Sequence, residues 1–262
     1  MQRRQFLKSA LTASAATVAA TGTSLAQPAA GGREYYQLRK YHLFRGPGVQ
    51  RTEGYFRDAL IPTLNRMGMK NIGAFSVNYG PETPTYYLVI PGSDLTTLAN
   101  LDNVLAKDEA FVKLAEPYWK APAGQPNFIT SEYSLLSAFE GWPKITPPDT
   151  TKKRIFHLRT YISPTHFDHV RKVEMFHHGE FKIFNEAGCG QVFYGDRIIG
   201  QPMPSLTYML TFPDMAALEA GWAKFIAHPE WKKLSTDPYY AFEPTVTSVD
   251  SIVLNPLSMS QV

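Results

Sequence analysis

The sequence predicts an α+β fold in which two tandem ferredoxin-like β-α-β-β-α-β units close into one barrel. A Leu-Arg-x-Tyr motif occurs twice, at 38–41 and 158–161, within segments that alternate like β-strands. A shift of 120 residues aligns further identities in the same order, and both halves show the same succession of predicted elements. Because one such unit covers only one face of its sheet with helices, two units can close their bare faces together. The prediction is therefore an intramolecular pseudo-dimer.

Each predicted unit begins with an alternating strand and an amphipathic helix. The helices end at Gly68 and Gly188, which suit the left-handed conformation found after a helix C-terminus. The predicted strand and helix are 35–43 and 54–67 in the first unit, and 154–162 and 167–187 in the second.

Each unit continues with two strands, a second helix and a last strand. Asp94 and Asp214 are placed to cap the second helix, where apolar residues recur at helical spacing. The predicted strands are 72–78, 86–90 and 128–136 in the first unit, and 191–194, 206–212 and 245–254 in the second. The predicted domains are therefore 34–140 and 154–257, joined by a linker at 141–153 whose prolines and charges suit no buried face.

The first 26 residues are typical of an export signal. Arg3 and Arg4 precede a weakly apolar stretch that ends in small residues at Ala26, a pattern similar to twin-arginine signals. The alternative is an amphipathic helix of a cytoplasmic domain. We expect cleavage after Ala26 and a periplasmic or otherwise exported protein that is not in the membrane in its mature form.

Composition limits the classes of partner and cofactor. The formal charge of +3 falls to zero without the signal, because that segment holds three basic residues and no acidic one. We therefore predict no nucleic-acid partner and no polybasic membrane patch. Cys189 is the only cysteine, so no internal disulfide and no cysteine-based zinc site can form. Phosphate-binding loops, nucleophile elbows and haem-attachment motifs are missing too, and no cofactor and no metal is predicted.

The repeated motif supplies the candidate ligand-binding residues. Alternation places them on one face of the first strand of each unit: Arg39, Tyr41, His157, Arg159 and Tyr161. The opposite, apolar face suits the helices, so we expect these five residues to face the inside of the barrel or its mouth. Two interpretations stay open. The arginines either pair within the fold, or present guanidinium groups to an anionic or carbonyl-bearing ligand.

Glu180 and a group of histidines are further candidates. Glu180 takes the place of Leu60 on an apolar helical stripe, where its pKa would be raised and it could act as a base or pair with an arginine. Alternatively, Gly179 frays the helix and lets Glu180 reach water. His169, Glu174 and His178 could form a metal site, but we favour the interpretation that they lie on a solvated helix face. Cys189 is expected to be a small filler of the core and not a nucleophile.

Four segments resemble the NIPSNAP family. They are the doubled first strand and the stretches DALIPTLNRMG, EMFHHGEFKIFNEAG and HPEWKKL. The resemblance covers roughly 34–257 in two copies and implies the dimeric α+β barrel fold. It implies no catalytic residues, because no general activity is established for the family. The wider superfamily includes cofactor-free oxygenases, isomerases and haem-degrading enzymes, which favours a small ligand and goes no further.

Two functions are carried forward from the sequence. The first is binding of a small anionic or aromatic molecule in the barrel cavity by the five residues named above. The second is a cofactor-independent enzyme of oxygenase or isomerase type, in which Glu180 or His157 acts as base and an arginine stabilises the developing oxyanion. A role in interactions alone ranks third, and assembly beyond the internal pseudo-dimer is left open.

Overall fold

Eight antiparallel strands form a closed barrel in the computed structural model, which describes residues 32–80 and 82–262. The order around the barrel is β1-β3-β2-β8-β5-β7-β6-β4. The strands are β1 Tyr35–Leu43, β2 Gly73–Val77, β3 Thr85–Gly92, β4 Phe128–Ala138, β5 Ile155–Ile162, β6 Gly190–Ile199, β7 Ser205–Phe212 and β8 Ser248–Pro256. Each half contributes four neighbouring strands, so the predicted fold class is confirmed. The predicted signal at 1–26 lies outside the described residues.

Two seams join the halves. At one, β2 pairs with β8 over three residue pairs, from Phe75–Pro256 to Val77–Leu254. At the other, β4 pairs with β6 over four, from Leu135–Ile199 to Ala138–Gly195. Both edges of each four-stranded sheet therefore find partners in the other half, which satisfies their backbone hydrogen bonds.

The helices cover the outside of the barrel. They are α1 Pro47–Gly54, α2 Ile61–Arg66, α3 Leu95–Ala99, α4 Leu101–Leu105, α5 Glu109–Trp119, α6 His166–Met175, α7 Phe181–Glu186, α8 Met215–Ala227, α9 Pro229–Thr236 and α10 Phe242–Thr245. In each half a π-helical segment, Tyr55–Leu60 or Phe176–Glu180, interrupts the first long helix. Such segments are rare and often occur near functional sites.

Several local predictions are confirmed. Gly68 and Gly188 have φ angles of 88° and 79°, the left-handed conformation expected after a helix. Asp94 accepts hydrogen bonds from the Thr96 and Thr97 amides, and Asp214 accepts one from the Ala217 amide. The second helix is continuous in the second half but divides at Asn100 in the first, where the Asn100 amide side chain bonds back to the Thr96 carbonyl.

Apolar side chains from all eight strands fill the inside of the barrel. Tyr36 lies 5.1 Å from Phe193, and Phe75 lies 4.8 Å from Phe156, between ring centroids. An eight-stranded barrel is just wide enough for its own side chains to fill it. A cavity of about 140 Å³ remains beside Leu38. The filled interior does not provide the ligand cavity expected from the sequence.

The segment at 141–153 also packs against the barrel. Ile145 is buried in the interior cluster, its amide donates to the Glu34 carboxylate, and the Thr146 amide donates to the Val192 carbonyl. The prediction that this segment buries no face is therefore wrong, because Ile145 is buried among the interior side chains of the barrel.

Within the described ranges, no helix is both long and apolar enough to span a bilayer.

Candidate functional site

The five motif residues lie on the outer face of the barrel, beneath the helices. The Tyr41 ring packs 5.5 Å from Phe56, and the Tyr161 ring packs 6.3 Å from Phe176, so each tyrosine contacts the π-helical segment of its own half. The expectation that Arg39, Tyr41, His157, Arg159 and Tyr161 face the barrel interior is wrong. Both faces of the sheet are buried, and the interior, which no helix supplies with polar partners, takes the more apolar row.

Arg39 is completely enclosed and fully partnered. Its guanidinium donates to Gln37 Oε1 at 2.5 Å and to Asp102 Oδ1 at 2.8 Å, and it contacts the hydroxyl groups of Tyr41 and Tyr133 at 3.3 and 3.2 Å. Asp102 is half exposed, while Arg39 is 1% exposed. These contacts leave Arg39 occupied within the fold.

Arg159 occupies the equivalent place in the second half with different neighbours. Its guanidinium lies 4.4 Å from the Trp222 ring and 5.3 Å from the Tyr161 ring. Within 32–80 and 82–262, its Nε has no hydrogen-bond partner and no carboxylate forms a salt bridge with it. The 120-residue shift explains the difference, because Trp222 stands where the first half has Asp102.

A hydrogen-bonded chain runs beside Arg159. The Trp222 indole N–H donates to His157 Nδ1 at 2.9 Å, so His157 Nε2 carries the proton and bonds to Ser251 Oγ at 2.7 Å. Burial first, and the Arg159 charge second, lower the pKa of His157 from 6.5 to about 4. His157 is therefore neutral near pH 7 and has no free lone pair with which to abstract a proton.

We expect His157 to make the free energy of unfolding depend on pH. Its folded pKa lies below its unfolded value, so its contribution is present above pH 6.5 and is lost as pH falls towards 4. His157→Gln, which introduces the residue of the first half, should remove about 2 kcal/mol of this pH dependence. Urea unfolding of both proteins at pH 7 and pH 4.5 measures it. An unchanged difference between the two pH values would show that His157 is not the titrating group.

A buried ion pair lies on the other side of Tyr161. Lys172 donates to Glu180 Oε1, and both side chains are at most 1% exposed. Burial raises the pKa of Glu180 and lowers the pKa of Lys172. The Lys172 ammonium also lies 4.8 Å from the Phe176 ring and 4.9 Å from the Phe242 ring. Of the open alternatives, Glu180 stays buried with a raised pKa, but its partner is a lysine and not an arginine.

A solvent-accessible cleft reaches this region at the β2–β8 seam. Its volume is about 440 Å³, and residues of both halves line it, among them Asn78, Tyr79, Met215, Ser251 and Val253. Ser251 is the register partner of Arg159 on β5, so the two side chains are neighbours on the same face of the sheet. The cleft therefore approaches Arg159 through Ser251.

Three residues of this region were not candidates in the sequence: Lys172, Trp222 and Ser251. The 120-residue shift could have found the first two, because Lys172 replaces Thr52 and Trp222 replaces Asp102 at positions facing the repeated arginine. Ser251 carries no comparable signal, because Ser131 stands at the equivalent position.

The remaining candidates are separated from one another. His169 bonds to Asp196 at 2.6 Å, whereas His178 contacts the Glu174 carbonyl at 2.9 Å. Within the described ranges, no group of three potential ligands is arranged to hold a metal ion. Cys189 is buried in the core of the second half, and burial raises the pKa of its thiol to about 11.

Two solved structures of candidate monooxygenases are similar to this barrel. The protein from Fusobacterium nucleatum subsp. nucleatum ATCC 25586 is 11% identical, with a TM-score of 0.58 over 86% of this chain and 93% of that chain. The protein from Lactobacillus acidophilus NCFM is 11% identical, with a TM-score of 0.56 over 86% of this chain and 94% of that chain. Such low identity shows the fold alone. The chain has the dimeric α+β barrel fold, with both halves of the barrel on one polypeptide.

The second half is similar to a particular family. Residues 156–261 match the NIPSNAP family, and this matched segment includes the strands from β5 to β8 and the helices between them. An uncharacterized NIPSNAP-like domain protein from Burkholderia xenovorans is 18% identical, with a TM-score of 0.36 over 40% of this chain and 86% of that chain. No curated protein matches the chain. The predicted resemblance is confirmed for the second half and stays a prediction for the first.

Proposed function

We propose that the second half of this protein binds a small anionic or aromatic molecule at Arg159, between the barrel and its helices. The observation that carries the proposal is the different pairing of the two equivalent arginines. Arg39 has a carboxylate partner, whereas Arg159 has none among the described residues. A half-buried guanidinium favours an anion as its partner.

The charges and shape of the region support the same class of ligand. Arg159 and Lys172 carry two positive charges, and Glu180 supplies one negative charge, which leaves one positive charge in an aromatic environment. The neighbouring cleft of about 440 Å³ is within the usual range for a small-molecule site. Trp222 is only partly buried and offers an aromatic surface for an aromatic body.

Phenylacetate is a suitable probe because it combines a carboxylate with an aromatic ring. Calorimetric titration of the mature protein should show saturable binding that Arg159→Met weakens about tenfold or more. Arg154→Met is the matched control, because it removes a partly buried arginine at the N-terminal end of the same strand, and should bind normally. No binding by the wild-type protein, or equal binding by Arg159→Met, would refute the proposal.

The alternative is a cofactor-independent oxygenase or isomerase of the same fold. The raised pKa of Glu180, near Arg159, favours it. If the wild-type protein turns over a substrate, and Arg159→Met loses this turnover but still binds phenylacetate, the result would support catalysis. If Arg159→Met loses only the binding of phenylacetate, the result supports a binding protein. Both proposals assume that no cofactor is held. An absorption spectrum with a Soret band, or metal analysis of the purified protein, would contradict that assumption.

We also propose that the chain is exported and that 34–140 is a second NIPSNAP-type domain. The signal-like sequence of 1–26 supports export, and the shared element order supports the second domain. Replacing Arg3 and Arg4 by lysine should leave the protein in the cytoplasmic fraction as an uncleaved precursor. Unchanged recovery of mature protein from the exported fraction would contradict the twin-arginine route.

A further inference from the structure

A second cleft opens on the outer face of the barrel where β4 meets β6. Its volume is about 660 Å³, and it lies away from Arg159 and Ser251, which do not line it. Its floor is a row of register partners, Tyr35 on β1, Ser137 on β4 and Asp196 on β6. Glu174 on α6 and Phe139 after β4 form parts of its walls.

Ser137 points to a missing partner in this cleft. It is 7% exposed, and its Oγ makes no hydrogen bond within the described residues. A buried hydroxyl without a partner costs about 1–3 kcal/mol, so such groups are usually satisfied by water or a ligand. The Oγ has almost no accessible surface in this conformation, but Ser137 lines the cleft, so rotation of its side chain about χ1 would turn the hydroxyl towards a bound molecule.

Asp196 lies beside Ser137 with one oxygen available. Its Oδ1 bonds to His169 Nε2 at 2.6 Å, and its side chain is still 41% exposed. Within 32–80 and 82–262, Oδ2 has no hydrogen-bond partner of its own. A donor in the cleft can therefore reach this carboxylate oxygen, and also the neighbouring Ser137 hydroxyl once that side chain has turned.

Carboxylates outnumber lysines and arginines in the lining of the cleft. Glu140, Glu174 and Asp196 line the cleft, while Arg33 is the only lysine or arginine among its lining residues and lies 3.7 Å from Glu140. His177 Nε2 accepts the Gly141 amide hydrogen at 3.1 Å, so this nitrogen is already occupied within the fold. The charge balance of the cleft therefore favours a cation.

We propose that this cleft binds an organic ammonium ion, a small molecule that carries a primary amine on an apolar or aromatic body. A primary ammonium has three donors, which match Asp196 Oδ2, Ser137 Oγ and the Glu174 carboxylate. The partly buried ring of Tyr35 lines the same cleft, and an aromatic ring attracts a cation that approaches its face. The volume suits a ligand of this size.

The test uses 2-phenylethylammonium as the probe and uncharged 2-phenylethanol as its match in shape. Calorimetric titration of the mature protein at low ionic strength should show saturable binding of the amine and much weaker binding of the alcohol. Asp196→Asn should weaken binding of the amine about tenfold and Ser137→Ala about threefold. Glu219→Gln, which removes an exposed carboxylate of α8 outside the cleft, should bind as the wild-type protein does.

Three results would overturn the proposal: no saturable binding of the amine, equal binding of amine and alcohol, or normal binding by Asp196→Asn. If Asp196→Asn does not fold, Ser137→Leu serves instead, because its larger side chain fills the floor of the cleft. Normal amine binding by a folded Ser137→Leu protein would also refute the site. Arg159→Met should bind the amine normally, so this outcome is independent of the anion proposed above.

Discussion

Glu180→Leu should destabilise the protein by about 3–5 kcal/mol. The substitution leaves the Lys172 ammonium buried among aromatic rings without its carboxylate. Lys172→Thr should cost a similar amount, since it leaves Glu180 unpaired. The double variant restores the residues of the first half, Thr52 and Leu60, and should lie within about 1 kcal/mol of the wild-type protein or exceed it. Urea unfolding of the four proteins gives the coupling free energy directly.

The pH dependence of stability gives a second test of the Lys172–Glu180 ion pair. In Glu180→Leu, burial acts on Lys172 without the opposing carboxylate, so its folded pKa lies below its unfolded value. The stability of this variant should therefore rise with pH from 7 to 10, because the lysine becomes neutral. Glu230→Gln is the control, since it breaks an exposed pair with Lys182 and should produce no measurable change. Additive effects of Glu180→Leu and Lys172→Thr would show that the buried contact is not coupled.

Arg39→Met should cost about 3 kcal/mol, whereas Arg159→Met should change stability by less than about 1 kcal/mol. The first substitution leaves Gln37 and the Tyr41 and Tyr133 hydroxyls without their shared donor beneath the helices. The second removes a guanidinium that forms no salt bridge with a carboxylate of the described residues. The two positions are equivalent under the 120-residue shift, so each protein is the matched control of the other.

Unfolding in urea, followed by circular dichroism in the absence of added ligand, measures both effects. Addition of phenylacetate should then stabilise Arg39→Met but not Arg159→Met, because only the former retains the proposed anion site. Equal destabilisation by the two substitutions would mean that Arg159 is paired as firmly as Arg39, and the argument for a ligand at Arg159 would fail.

The barrel fold could be predicted from the sequence because the residues that define each helix and strand are local and occur in both halves. The glycines at 68 and 188, the caps at Asp94 and Asp214, and the alternating first strands each specify an element, and the repeat specifies how the elements combine. The sequence did not decide which face of each strand points into the barrel. Alternation divides a strand into two rows but does not say which row is inside when both sides of the sheet are buried.

The repeated motif alone did not predict the different pairing of the two arginines. Identical Leu-Arg-x-Tyr motifs gave no reason to separate Arg39 from Arg159, because the difference lies in a helix more than 60 residues away, where Asp102 or Trp222 contacts the guanidinium. The placement of Glu180 on an apolar stripe was predictable. The 120-residue shift marks Lys172 as a lysine in place of Thr52, but it does not show that Lys172 contacts Glu180, which lies eight residues further on at the end of the π-helical segment.

Closure of the barrel within one polypeptide has a consequence for inheritance. When two identical subunits build such a barrel, every mutation appears in both halves at once, so a change that helps one site must be tolerated by the other. Here each half mutates alone. One copy of the arginine can therefore keep a carboxylate partner and secure the fold, while the other, which lies beside a tryptophan, is free to take a different task.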